Sequence, residues 1–165
     1  MIKDECTFSD KLSTGIGKNL MEELNLKANM KIELFDETGK LKEIREVHNT
    51  VTTAGKAGIM DQALAAPTLV KPGWMELGTG SPAATLLGTY ITGSRTALTS
   101  KTRATNVITM IADFAAGVGT GAITEAGVFD VVTANTVNMW LSATFAVVNK
   151  AAADTLKITW TFTGN

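Results

Sequence analysis

The sequence predicts a mainly β protein, an antiparallel β-sandwich of jelly-roll or immunoglobulin-like type, with one short helix and an N-terminal arm. Three observations predict it. The C-terminal third alternates apolar and polar residues with period two: Ile108, Met110, Ala112 and Phe114; then Val137, Met139, Leu141, Ala143, Phe145 and Val147; then Leu156, Ile158, Trp160 and Phe162. That spacing turns one face of each strand toward a core. The connections "GVGTGA", "VTAN" and "NKAAAD" are too short for parallel crossovers, so these strands are expected as antiparallel neighbours in a meander. A chain of 165 residues holds one hydrophobic core and is short for two, which gives an arm over residues 1–29 and a sandwich over 30–165.

Each element follows from local signals. Residues 1–29 are polar, but Leu20, Met21 and Leu24 recur at helical spacing, so the arm is expected to carry about two helical turns; an unstructured tail is the competing reading. "MKIELFDETGKLKEIREVHN" is two charged, β-prone runs around a turn, with Gly39 free to take positive φ. A helix is expected from about Thr53 to Ala65, with Thr52 or Thr53 as N-cap, Pro67 as the stop and Ala54, Ala57, Ile59, Met60 and Leu64 as its buried stripe. "GWMELGTGSP" is a short strand and a Gly-rich turn, followed by a long loop from Ser81 to Ser100. On the last strand Thr155, Lys157, Thr159, Thr161 and Thr163 alternate with the apolar set, a Thr-rich face that is as a whole neither charged nor apolar. It suits a wet contact with a neighbouring subunit, and Thr is also simply a good strand residue.

Composition excludes several classes. The formal net charge of -1 gives no overall bias toward nucleic acid. Of the 31 Asp, Glu, Lys and Arg residues, 18 lie in residues 1–50. The remainder is almost charge-free, unusual for a freely diffusing monomer, and part of that surface is expected to face other protein. Cys6 is the only cysteine, which rules out an intrachain disulfide and a cysteine zinc cluster and fits folding in a reducing cytoplasm. No export signal and no run of about 18 apolar residues is present, so no membrane partner is expected.

Candidate chemistry is sparse. His48 is the only histidine, at a hairpin strand end, without a G-x-S-x-G nucleophile motif; a hydrogen bond to backbone is its expected role. "STGIGKN" has the wrong spacing for a phosphate loop, since Lys18 precedes Asn19 rather than Ser or Thr. Asp113 and Glu125 are a possible carboxylate pair on strands that could be adjacent, and a pair about 5 Å or about 6.5–9.5 Å apart would suit glycoside hydrolysis. A sugar cleft also needs aromatic platforms, and Tyr90 is the only tyrosine. For Glu125, in "TEAGVF", the stronger reading is a structural peg that accepts backbone N–H bonds at a bulge or corner. No catalytic residue, metal or cofactor is expected.

Four motifs occur in fixed order: "NTVTTAG", "MELGTG", "TEAGVF" and "FAVVNKAAADTLKITW". With the hairpin before them they span about residues 31–162, and the pattern resembles a family of tailed-bacteriophage virion proteins. The resemblance implies a non-enzymatic structural protein, first of all a capsid decoration or cement protein that binds the outer surface of the head and bridges major capsid subunits. It would be made in the host cytoplasm and would act as a homo-oligomer, dimer or trimer, with the major capsid protein and its own copies as partners. A tail, tail-fibre or head-fibre protein with an adaptor or receptor-binding role is the alternative. The resemblance makes Glu125, Gly127 and Phe129 fold-keeping residues and places Asp154 and Trp160 in a closing hairpin. Thr14, Ile16 and Leu20 of the arm, with Tyr90 and Arg95 of the long loop, are the expected contact residues.

Overall fold

The computed structural model describes residues 26–164. Thr14, Ile16, Leu20, the helical turns expected around Met21 and Leu24, and the "STGIGKN" glycines lie outside the described residues. β1 (Leu26–Phe35) starts before the expected boundary at residue 30, because Ala28 belongs to the same alternating buried set as Met30, Ile32 and Leu34. β2 (Leu41–His48) returns antiparallel. Between them the Asp36 carboxylate accepts the Thr38 and Lys40 N–H groups, and Gly39 takes φ +82°, as the turn reading requires.

β3 (Thr50–Val51) leads into α1 (Thr53–Asp61). Thr52 is the N-cap: its hydroxyl accepts the Gly55 N–H at 3.0 Å and donates to main-chain carbonyls at Met139 and Trp140. The helix stops before Ala65 because Asp61 turns its carboxylate onto the Thr68 and Leu69 N–H groups, tying the following loop back. The expected buried stripe is corrected as well. Met60 and Leu64 are 55% and 57% exposed, and the buried helix residues are Gly55 and Gly58. A Cβ at Gly55 would lie 2.1 Å from the Trp140 carbonyl oxygen, and one at Gly58 would lie 2.2 Å from the Trp140 ring. The helix therefore docks through its smallest residues, at a distance that large side chains would forbid.

The remaining strands are β4 (Trp74–Gly78), β5 (Thr96–Ala97), β6 (Ser100–Ala104), β7 (Val107–Phe114), β8 (Gly121–Phe129), β9 (Met139–Lys150) and β10 (Thr155–Gly164). Residues 81–100 hold little regular structure beyond β5 and a Gly78–Tyr90 bridge. Two antiparallel five-stranded sheets result, in the orders β2-β1-β10-β7-β6 and β3-β9-β8-β4-β5. One core cluster draws on both: Met30, Phe114, Ile158 and Trp160 from the first, Met75, Leu77, Val128 and Val148 from the second. This is the arrangement of a β-sandwich.

The meander is corrected in two of its three connections. β8 and β9 are neighbours, but β7 to β8 and β9 to β10 each pass from one sheet to the other. β7 pairs with β10 and β8 with β9, so the four strands make one long two-stranded ribbon folded across both sheets. At the fold the two corners stay joined, with the Gly117 N–H donating to the Ala152 carbonyl at 2.7 Å. Short loops exclude parallel crossovers but permit a corner as readily as a hairpin. The phase expected in β9 also breaks. Ile123 faces Val148 and Glu125 faces Thr144, so three β9 residues oppose Thr124 alone. This bulge turns Val147 out, 42% exposed, and Val148 into the core; Val137 lies before the strand and is exposed.

Candidate functional site

On β8 the period of two sends Ala126 and Val128 into the shared core and leaves Glu125, Gly127 and Phe129 on the opposite face. That face is covered by residues 79–95. The Glu125 carboxylate, fully buried, accepts the Gly88 N–H at 3.1 Å on Oε2 and the Thr89 N–H at 3.0 Å on Oε1. Gly78, directly opposite on β4, leaves it room, since a Cβ there would lie 2.6 Å from Glu125 Oε1. Beside it the Thr124 hydroxyl accepts the Gly80 N–H at 2.8 Å. The "MELGTG" and "TEAGVF" segments thus interlock on adjacent strands and hold the loop down. A Cβ on Gly127 would meet Met139 Sδ at 2.7 Å and the Phe129 ring at 2.8 Å. Phe129 packs with Leu87 and Met139, and with the half-buried Trp74 and Tyr90.

Arg95, expected as an exposed contact residue, is corrected by the structure. Its side chain is 4% exposed and pairs with Glu76 Oε2 at 3.0 Å, and its guanidinium carbon lies 3.7 Å from the Phe129 ring centroid. A guanidinium stacked on an aromatic and joined to a carboxylate is a structural unit; its Nη1 also donates to the Val131 carbonyl, while its buried Nε–H has no partner among the described residues. Burial pushes the Glu76 carboxyl up, and Arg95 opposes that shift. The sequence reading missed Glu76, whose signal was a lone carboxylate inside the apolar run "WMELG". Tyr90 is half-buried at the edge of the same loop.

Asp113 and Glu125 do not form a pair. Asp113 lies on β7 in the first sheet, exposed, and accepts the Thr99 hydroxyl proton at 2.7 Å, whereas Glu125 lies on β8 in the second sheet. The adjacency behind the pairing disappears when the chain turns the corner between sheets. His48 contacts a side chain rather than backbone: its Nδ1 lies 2.7 Å from Asn29 Oδ1 on the neighbouring strand.

Asp154 sits at the corner between β9 and β10, and is therefore not in a simple hairpin. Its Oδ2 accepts from Lys42 Nζ at 2.7 Å and from the Ala151 N–H at 2.9 Å. The Lys42 bond first, and then the Ala151 N–H, hold its carboxyl below the usual range. The buried Lys150 ammonium donates to the Asp154 and Ala115 carbonyls, pinning both corners. Trp160 is fully buried in the core, and its Nε1–H has no partner among the described residues.

The outer face of the first sheet is different. α1 and residues 79–95 both lie on the second sheet, so no helix or loop among the described residues lies across this face. Directly opposed residues share a face. One row therefore runs Thr102, Thr109, Thr161, Asn29, His48, and the next runs Ser100, Ile111, Thr159, Lys31, Glu46. The β1–β2 half of this face is charged, with Lys31 paired to Glu33 and Glu46 beside them, whereas the half over β10, β7 and β6 is mainly hydroxyl, interrupted by Ile111 and by the opposed Lys157 and Asp113. A shallow depression of about 400 Å³ lies where the two halves meet, against Asn29, Lys31, His48, Thr159 and Thr161. The last strand's threonines were legible, but their alignment with Thr109 and Thr102 required the register.

Among the described residues no three His, Cys, Asp or Glu side chains converge as metal ligands would, and no helix is long and apolar enough to cross a membrane. Comparison of the chain with protein-family models, with curated proteins and with solved structures finds no match.

Proposed function

We propose that this protein is a structural component of a tailed-bacteriophage virion, a decoration protein that binds the outer surface of the capsid and bridges major capsid subunits. The observation that carries the reading is the hydroxyl-rich outer face of the first sheet, which no other described element covers. A broad face of Thr, Ser and Asn makes hydrogen bonds directly or through water, and it avoids the large apolar patch that would cause association before a shell is present. The resemblance of the four ordered motifs supports the same reading. Two of those motifs are spent on pegging the loop over residues 79–95, a use that is structural rather than chemical.

The mechanism is additive. A cement contact on the scale of standard protein interfaces, roughly 1,200–2,000 Å², holds neighbouring subunits without altering either. Attachment at several points raises occupancy steeply through effective concentration. Co-sedimentation with DNA-filled, expanded heads and separately with isolated tails tests the proposal. Saturable binding to heads, in fixed ratio to the capsid protein, is the expected result. Binding to tails alone would overturn the head assignment in favour of an adaptor or fibre role.

A further inference from the structure

Near the start of β1, an apolar groove of about 420 Å³ opens between the sheets and α1, a volume suited to a drug-sized ligand or a few side chains. Val51, Ile59 and Trp140 line one wall, and Ile108, Met110 and Phe162 the other. Its rim carries Lys71, Lys101 and Arg103. The ion pairs among the described residues use other cations, namely Lys31, Lys42, Arg45 and Arg95. Lys101 is held below its ordinary range by burial and then by Lys71, so the rim is a place where positive charges face each other and an acid would be welcome.

We infer that this groove is the docking site for residues 16–24 of the same chain. The chain leads there. Ala28 pairs with Phe162, Phe162 with Ile108 and Ile108 with Arg103, a single row from the first strand to the rim. With strands about 4.8 Å apart, β1 lies about 10 Å from Ile108. The Ala28 carbonyl also accepts the Asn49 N–H, two residues from Val51. Leu24 is two residues upstream of Leu26, a span of at most about 7 Å, so it reaches the groove without a long linker.

The segment is chemically complementary. Ile16, Leu20, Met21 and Leu24 fall at i, i+4, i+5 and i+8, the spacing of one apolar helical face, and Glu23 borders that face, whereas Glu22 falls opposite it. The apolar residues match the walls, and Glu23 at the edge of their face matches the cationic rim. Tethering supplies an effective concentration in the millimolar range, so modest contacts suffice. The inference stands apart from the capsid reading, since it concerns the free protein.

Methyl and indole NMR of the full chain tests it, with wild type compared to Leu20→Asp/Leu24→Asp and to Glu23→Lys. The Ile59, Ile108 and Trp140 signals are expected to shift in the first variant and, more weakly and with salt dependence, in the second. Signals at Leu34 and Leu156, far along the same strands, should hold their positions. Groove signals identical in all three proteins would overturn the inference. Wild-type groove signals that move with protein concentration, together with a dimeric sedimenting mass, would also overturn it, by giving the groove to a second copy.

Discussion

Glu125 is the residue whose removal should show most directly how this fold holds its long loop. Its carboxylate is fully buried and accepts two main-chain N–H bonds, from Gly88 and Thr89. Bonds to a charged acceptor contribute about 1.5–3 kcal/mol each. Glu125→Gln keeps the shape and one accepting oxygen but sets an NH2 group against the other N–H, so it should cost about 1.5–3 kcal/mol. Glu125→Ala loses both bonds and leaves a void, for about 3–5 kcal/mol, short of the full sum because Gly88 and Thr89 can recover water as the loop lifts. Urea unfolding gives the global effect, and hydrogen exchange at the Gly88 and Thr89 amides gives the local one. Since about 1.4 kcal/mol corresponds to tenfold in an opening equilibrium, these amides should exchange roughly tenfold or more faster in the Gln variant. A Gln variant with the wild-type midpoint and unchanged exchange at both amides would refute the peg.

Gly55→Ala and Gly58→Ala should each destabilise by about 1–3 kcal/mol even though Ala favours helix by about 1 kcal/mol. Gly55→Ala should be the worse, because its obstacle is the Trp140 main chain; a raised melting temperature for it would contradict the docking of α1. Trp160→Ala should cost about 3–5 kcal/mol. Trp160→Phe should cost clearly less, because it also removes a buried N–H that has no partner among the described residues; equal losses in denaturant titrations would count against that. Acid sensitivity should fall in Asp154→Asn. The Asp154 carboxyl is depressed by the Lys42 and Ala151 bonds, so its contribution is present above the unfolded value of roughly 3.9 and disappears as pH falls through the lower folded value. Asp36 and Asp61 are depressed in the same direction, so part of the acid dependence should survive. Parallel stability curves for wild type and Asp154→Asn between pH 7 and pH 2.5 would exclude the assignment.

What the sequence revealed was governed by local rules. Alternation located β7 and β10 and the buried Leu156, Ile158, Trp160 and Phe162, because a pleated strand exposes its periodicity directly. The turn at Gly39 and the cap at Thr52 were legible for the same reason. Features set by tertiary geometry were hidden. Composition does not say whether a six-residue link returns beside its strand or crosses to another sheet, and the Asp113–Glu125 pair depended on that choice. Apolarity marks only part of the α1 interface: Ile59 packs against the core, Met60 and Leu64 are exposed, and close approach to Trp140 demands Gly55 and Gly58. Arg95 stands in a loop, where a charged residue is ordinarily exposed; its partners Glu76 and Phe129 lie 19 and 34 positions away in sequence and meet it only through the sheet. Glu125 was readable as a peg, but the amides it would hold were not.

The proposed capsid-binding surface is the threonine-rich face of the first sheet, which no other described element covers. Head binding by wild type and by Thr109→Arg/Thr161→Arg tests it most directly, with unfolding midpoints measured in parallel. Both substitutions fall in one row of the open face, where a long cation should leave the core untouched and spoil a close, uncharged contact. The account predicts saturable binding of wild type to expanded heads and a loss of at least tenfold in affinity for the variant, with unfolding midpoints nearly the same. Undiminished head binding by a well-folded variant would contradict it.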